Sequence, residues 1–238
     1  MNSNYLEFLA AFGIGGAHPG GLTLTKQYLM HETFQESAIV LDAGCGTGQT
    51  SVYLKQNHSG NVIAIDNHPI MVEKAEKRFN DLNLDIEILE ANIENLPFET
   101  NSFDVIICES VLSFTNIEKS LSEFSRVLKQ NGILIAIEMT NEGGLIKEEK
   151  EKIKSFYGVS DVLTENQWLN QFKKANFKTA TAKKVSTILD SAIEQEPTTD
   201  FYMSEDINIE LYEVLDQHQK LNVKFQKKLG FRIYRGIR

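Results

Sequence analysis

From residue 20 onward, short runs rich in β-branched residues alternate with longer stretches in which apolar positions recur three or four apart, so strand and helix signals follow one another along the chain. The pattern predicts strands over Ala38–Ala43, Asn61–Asp66, Ile86–Glu90 and Phe103–Cys108, and another over Gly132–Met139 after an Asn131-Gly132 turn. The intervening helices are predicted over Gln49–Gln56, Pro69–Asn80 and Ile117–Leu128. Val62-Ile63-Ala64-Ile65 and Val105-Ile106-Ile107-Cys108 are apolar on both faces, as parallel strands covered by helices on each side must be. A doubly wound α/β sheet is therefore expected. Farther on, the pattern predicts helices over Glu148–Tyr157 and Glu165–Ala175, a strand near Lys178–Val185, a long helix within Met203–Lys228 and a final strand near Phe231–Gly236. The last two strands need no separate domain.

Ahead of the sheet, Phe12–Gly21 is too rich in glycine for a helix interior and reads as a flexible segment feeding a helix over Leu22–Phe34. The expected organisation is an N-terminal cap segment and helix over 1–35, then a single domain over 36–238 with helical insertions near 141–160 and 191–228. A length of 238 residues with 42% hydrophobic and 24% charged content suits one soluble globular domain. No apolar run approaches the roughly 20 residues that span a bilayer. No basic residue precedes Lys26, so no secretory signal is expected and a cytoplasmic location is predicted.

Cys45 and Cys108 form no CxxC pair, which offers neither a disulfide framework nor a metal site. A formal charge of -9 opposes a nucleic-acid backbone and favours a small or neutral substrate. Near the end the charge is polarised, with nine acidic and no basic residues from Asp190 to Asp216 and seven basic and no acidic ones from Lys220 to Arg238. Mutual neutralisation of neighbouring surfaces is the reading of that asymmetry.

The strongest chemical signal is Val40-Leu41-Asp42-Ala43-Gly44-Cys45-Gly46-Thr47-Gly48, a buried strand running into a glycine turn that opens a helix. The dinucleotide fingerprint GxGxxG would place its third glycine at position 49, which is Gln49; the glycines fall instead at 44, 46 and 48. Asp42 at the strand end suits a ligand carrying ammonium and sulfonium charge better than a diphosphate. Asp66 ends the second strand and can accept from both hydroxyls of a ribose, or it can cap the helix beginning near Pro69. Cys45 and Cys108 read as packing residues rather than nucleophiles.

DAGCGTG at 42–48, the acidic Asp66 after VIAI, the segment ANIENLPFETNSFDVIICESVLSF and RVLKQNGILIAIE occur in the order found in class I S-adenosylmethionine-dependent methyltransferases. The chain resembles their UbiE-like, small-molecule branch over about residues 36–140. The resemblance implies a Rossmann-like, seven-stranded, mostly parallel sheet with helices on both faces and an antiparallel last strand. It implies S-adenosyl-L-methionine as methyl donor and S-adenosyl-L-homocysteine as product. Gly44, Cys45, Gly46 and Thr47 would line the methionine part, with Asp66 on the ribose, Asn67 flanking the adenine, Asn92 and Ile93 in the third motif, and Glu109 near the transferred methyl. Asn92 stands where Asp is commoner, and Asn92 and Ile93 read equally as a turn residue and core filler.

Transfer from a sulfonium is an in-line displacement that needs a base only for an acceptor that must lose a proton. His18, in the glycine-rich segment, is the candidate general base, with a local hydrogen bond before Pro19 as the competing role. Gly20 and Gly21 can offer N–H groups to the cofactor carboxylate, and Phe12, Phe114, Phe156, Tyr157, Phe201 and Tyr202 can wall an acceptor pocket. Cys108-Glu109-Ser110-Val111 lacks the Asn/Asp-Pro-Pro-aromatic tetrad of nucleic-acid amino-methyltransferases, and Glu109 with Glu138 makes no convincing magnesium site. The expected partner is a small-molecule methyl acceptor, with neither nucleic acid nor membrane and with a homodimer left open. A cofactor-binding module without catalysis is the alternative.

Overall fold

The computed structural model describes residues 4–58, 60–187 and 201–238. Seven strands form one sheet in the order β3-β2-β1-β4-β5-β7-β6: β1 Ile39–Ala43, β2 Asn61–Asp66, β3 Glu87–Glu90, β4 Phe103–Glu109, β5 Leu128–Asn141, β6 Thr179–Thr187 and β7 Leu229–Ile237. Pairings from β3 through β5 are parallel, and β7 inserts antiparallel between β5 and β6. The expected architecture is the observed one.

Alternation along the strands builds a core on each face. Leu41, Ala43, Ile106 and Ala136 point into one cluster with Phe124, Trp168 and Phe172, whereas Val40, Val105, Ile107 and Ile135 point into the other with Tyr28, Leu54 and Phe79. The covering helices are α2 Gly21–Leu29, α3 Gln49–Asn57, α4 Pro69–Asp81, α5 Ile117–Val127 and α7 Glu165–Lys174.

A third cluster stands off the sheet. It joins Tyr5, Phe8 and Phe12 of α1 (Asn4–Phe12) to Ile153 and Tyr157 of α6 (Lys147–Tyr157) and to Leu221 and Phe225 of α8 (Glu210–Phe225). Lys74 of α4 anchors this cap by donating to the carbonyls of Ala10 (2.6 Å) and Ala11 (3.2 Å), the free carbonyl end of α1.

Some local expectations change. α2 ends at Leu29 rather than Phe34, and Glu32 beyond it accepts from Arg235 of β7 at 2.9 Å. The Asn131-Gly132 turn does not precede β5 but lies inside it: the ladder passes from Phe103–Leu128 to Val105–Ile133, so the residues between loop out, with Asn131 at φ 63°. In the range 191–228, α8 occupies Glu210–Phe225, while residues 191–200 lie outside the described residues.

Candidate active site

A cavity of about 1110 Å³ opens at the carboxyl ends of β1, β2 and β4 and runs outward under the helical cap. The strand order reverses at β1 and β4, and connections leaving to opposite faces part the chain there and leave a crevice.

The turn after β1 floors one end. Gly44, Gly46 and Gly48 have φ of 83°, 55° and 81°, which residues bearing a β-carbon resist. A β-carbon on Gly44 would lie 2.3 Å from Val111 Cγ2, whereas one on Gly46 would meet nothing within 4 Å. Gly44 and Cys45 both donate their N–H to the carbonyl of Ile65 (2.8 and 2.9 Å), Gly46 donates to Asp66 Oδ2 (2.9 Å), and Gly48 donates to the carbonyl of Cys45 (2.9 Å). These N–H groups are committed within the protein, and a carboxylate lies beside them. The turn is not the open nest of donors that a diphosphate takes.

Asp66 ties this turn to α4, because its Oδ1 accepts from the N–H of His68 at 2.9 Å while Oδ2 holds Gly46. The two sequence readings of Asp66 thus meet: it supports the start of α4 and lines the cavity. Burial raises its pKa against these backbone bonds. Asp42 is also buried; it accepts from Ser51 Oγ at 2.5 Å, and desolvation pushes its carboxyl up to about 7.

Glu109, at the end of β4, gathers side chains from two helices. Its Oε1 accepts from Thr25 (2.6 Å) and Tyr28 (3.0 Å) of α2, and its Oε2 from Thr50 of α3 (2.6 Å). Burial and the adjacent Glu109 hold the Tyr28 phenol well above its ordinary pKa, so it remains a donor. His18 joins this group: Nε2 lies 3.1 Å from Thr25 Oγ1 and 3.5 Å from Glu109 Oε1, and Nδ1 lies 3.2 Å from the carbonyl of Pro19. Both ring nitrogens therefore have neighbours inside the wall. Glu138 is fully buried and accepts from the N–H groups of Val111, Leu112 and Ser113 and from Ser113 Oγ, which shapes the loop after β4. Its carboxyl is pushed up to about 7 by desolvation.

Of the residues singled out in the sequence, His18, Gly20, Gly21, Asp42, Gly44, Cys45, Gly46, Asp66, Asn67, Asn92, Ile93 and Glu109 share the cavity wall. Thr47 does not: its carbonyl accepts from Arg78 Nε at 2.7 Å on the side of α4. Asn92 turns its side-chain oxygen onto the N–H of Glu94 at 2.8 Å. Phe12, Phe114, Tyr157 and Phe201 line the outer part, while Tyr202 instead lies under Lys77. Burial raises both thiols, Cys45 and Cys108, well above their ordinary pKa, which removes thiolate chemistry.

The family model described as a methyltransferase domain matches residues 41–136, which hold the glycine turn, Asp66 and Glu109. An uncharacterized methyltransferase of Bacillus subtilis, YodH, is 39% identical over 232 residues, 98% of this chain and 98% of its own length. The chain belongs to the methyltransferase family. Members of this class I family use S-adenosylmethionine as methyl donor. A ubiquinone/menaquinone biosynthesis C-methyltransferase, UbiE, of Campylobacter jejuni is 32% identical over 129 residues, 50% of this methyltransferase and 53% of that one. In fold, phosphoethanolamine N-methyltransferase 2 of Haemonchus contortus superposes with a TM-score of 0.77 at 18% identity, covering 99% of this chain and 56% of that one.

Sequence reasoning did not find Thr25, Tyr28 and Thr50. Thr25 and Tyr28 stand one turn apart on α2, a spacing that puts both hydroxyls on one face, but nothing local ties them to Glu109 more than eighty positions away. It also did not find His68, whose buried Nδ1 lacks a hydrogen-bond partner in the cavity wall.

Proposed function

We propose that this methyltransferase transfers a methyl group to a small-molecule acceptor in the cytoplasm, with the donor at the β1–β4 crevice and the acceptor under the helical cap. The observation that carries this reading is the character of the inner end. Asp42, Asp66, Glu109 and Glu138 stand in its wall, with Lys26 the only lysine or arginine there among the described residues, around a turn in which the N–H groups of Gly44, Cys45, Gly46 and Gly48 are already committed. That setting suits a cationic, hydroxyl-bearing ligand and repels a diphosphate.

When bound, S-adenosylmethionine supplies a methyl group activated on a sulfonium. Gly44, Cys45 and Gly46 form the floor on which it would rest, and the space above Gly46 is open. Asp66, held rigid by Gly46 and His68, has lone pairs left for ribose hydroxyls. Asn67, Asn92 and Ile93 form the adenine wall in this reading, Asp42 and Glu109 supply negative charge at the methionine end, and Thr47 acts from behind the turn. His18 enters through the Thr25–Glu109 group, as a residue that positions Glu109 and closes the Gly20-Gly21 segment over the site. A cavity of about 1110 Å³ exceeds the roughly 300–1,000 Å³ typical of one ligand pocket, which leaves room for an acceptor beside the donor. Among the described residues no helix is long and apolar enough to cross a membrane.

Titration calorimetry with S-adenosylmethionine, S-adenosylhomocysteine and NADH, followed by a methyl-transfer assay over uncharged, anionic and cationic metabolites, tests the proposal. Binding of both adenosyl ligands but not NADH, with product from at least one acceptor, is expected. NADH binding at the turn overturns the donor assignment, and tight adenosyl binding with no product on any acceptor makes the chain a binding module.

A further inference from the structure

The outer chamber differs from the donor end in one respect that bears on the acceptor. Its walls come from α1, α6, α8 and the loop after β4, and the side chains they present are apolar or neutral. Tyr5, Phe8, Phe12 and Phe114 form the aromatic lining, with Tyr5 edge-on to Tyr157 at 4.8 Å and 88° between the ring planes. Among the described residues, every Asp, Glu, Lys and Arg in the cavity wall belongs to the donor end or to the loop-holding Glu138.

A hydrogen-bonded polar group interrupts this lining. Tyr157 of α6 with His218 and Asn222 of α8 make a closed ring: the Tyr157 hydroxyl donates to Asn222 Oδ1 at 3.3 Å, His218 Nδ1 lies 3.1 Å from that hydroxyl, and Asn222 Nδ2 lies 3.0 Å from His218 Nε2. Proton accounting assigns the His218 tautomer. The hydroxyl has one hydrogen and gives it to Asn222, so His218 Nδ1 must carry the hydrogen it shares with Tyr157. Asn222 Nδ2 can only donate, so Nε2 must be bare. The ring closes with His218 neutral, and burial lowers its pKa in the same direction. These bonds use one N–H and one lone pair of Asn222, leaving a second N–H and a second lone pair on the same amide at the cavity wall.

We propose that the acceptor is an uncharged, largely apolar molecule, aromatic in the part that fills the chamber, and that one hydroxyl of it docks on the Tyr157–His218–Asn222 ring. The inference rests on the placing of acceptor under the cap in the function proposed above, and it names the chemical class which that placing admits. Among the described residues, a phosphate or carboxylate on the acceptor would meet no cation in this chamber. An ammonium would meet no carboxylate there. Either would lose its hydration without compensation. A hydroxyl both donates and accepts, which matches the N–H and the lone pair that Asn222 retains.

The test is calorimetric binding to the full chain, with and without S-adenosylhomocysteine, of four probes sharing one apolar tail: para-octylphenol, octylbenzene, para-octylphenyl phosphate and protonated para-octylbenzylamine. The phenol is expected to bind about tenfold more tightly than octylbenzene, the worth of one good hydrogen bond. The phosphate and the amine are expected to bind more weakly than the phenol. In His218→Leu and, separately, in Asn222→Leu, the advantage of phenol over octylbenzene is expected to vanish while octylbenzene still binds. Because the readout is a difference between two probes on one variant, general loosening of the cap does not imitate it. Equal or tighter binding of the phosphate or the amine overturns the proposal, as does a phenol advantage that survives both substitutions. Failure of S-adenosylhomocysteine to bind overturns the donor assignment instead, and the probe ranking without it still decides the acceptor class.

Discussion

Replacing Asp66 by Asn removes a charge and one acceptor while keeping the size of the side chain. In the native site the two carboxylate oxygens each hold a backbone N–H at 2.9 Å, from Gly46 and from His68. An amide can satisfy only one of these with its oxygen and turns an NH₂ toward the other, so one donor is left unpaired at about 1–3 kcal/mol. In a chain of this length that shifts the melting temperature of the free protein by roughly 2–4 °C per kcal/mol. Donor binding suffers in addition, because hydrogen bonds from ribose hydroxyls to a charged acceptor contribute about 1.5–3 kcal/mol and those to an amide about half as much. The expected result in calorimetry at a temperature where the variant is fully folded is a loss of about 10- to 100-fold in affinity. S-adenosylmethionine and S-adenosylhomocysteine should lose equally, since both carry the ribose. Unchanged affinity for both would refute the reasoning, and so would a loss confined to the sulfonium form.

The Asp42 carboxyl, raised by burial from 3.8 to about 7, holds its proton in the free protein below that pH, so its contribution to stability is full below about pH 4 and is lost as pH rises through 7. A cationic donor favours the ionised form, so affinity should rise by up to about tenfold per unit as pH approaches 7 from below, with about one proton released at pH ~6 and none in Asp42→Asn; a pH-independent affinity counts against the assignment. Gly46→Ala, whose β-carbon meets nothing within 4 Å, should fold with a penalty of about 1–2 kcal/mol for its positive φ yet lose donor affinity, whereas Gly44→Ala, meeting Val111 at 2.3 Å, should lose both in parallel. Thermal melts beside calorimetry separate the two, and normal donor binding by Gly46→Ala contradicts the floor assigned to that turn. Glu138→Ala strips the acceptor from three backbone N–H groups and should lower stability by about 3 kcal/mol or more at neutral pH; a melting temperature within a degree of the native value would show that the loop after β4 is held otherwise.

The sheet was readable because β1, β2 and β4 are short apolar runs at its centre, and their periodicity differs from that of the helices between. The glycine turn and Asp66 were readable because both lie at strand ends, where sequence spacing fixes spatial position. α1 was not. Its apolar face meets α6 and α8, more than a hundred residues away, and its carbonyl end meets Lys74. Tyr5, Phe8, Leu9 and Phe12 do recur at helical spacing, but a stretch of nine residues is too short to hold a helix by itself, and the packing that holds this one is not local. The Asn131-Gly132 turn was located, yet its place inside a strand depends on the neighbouring ladder, since β4 pairs with β5 at Leu128 before the turn and again from Ile133 after it. The acceptor ring shows the same division. His218 and Asn222 are four apart on one helix face, but the Tyr157 that closes the ring comes from a different helix, 61 positions earlier.

The structure of the protein crystallised with S-adenosylhomocysteine is the most direct measurement of the account. The ribose hydroxyls are expected on the carboxylate of Asp66 and the amino-acid portion over Gly44 to Gly46. Adenosyl density elsewhere in the cavity, or a nucleotide diphosphate taken up by that turn in its place, would contradict it.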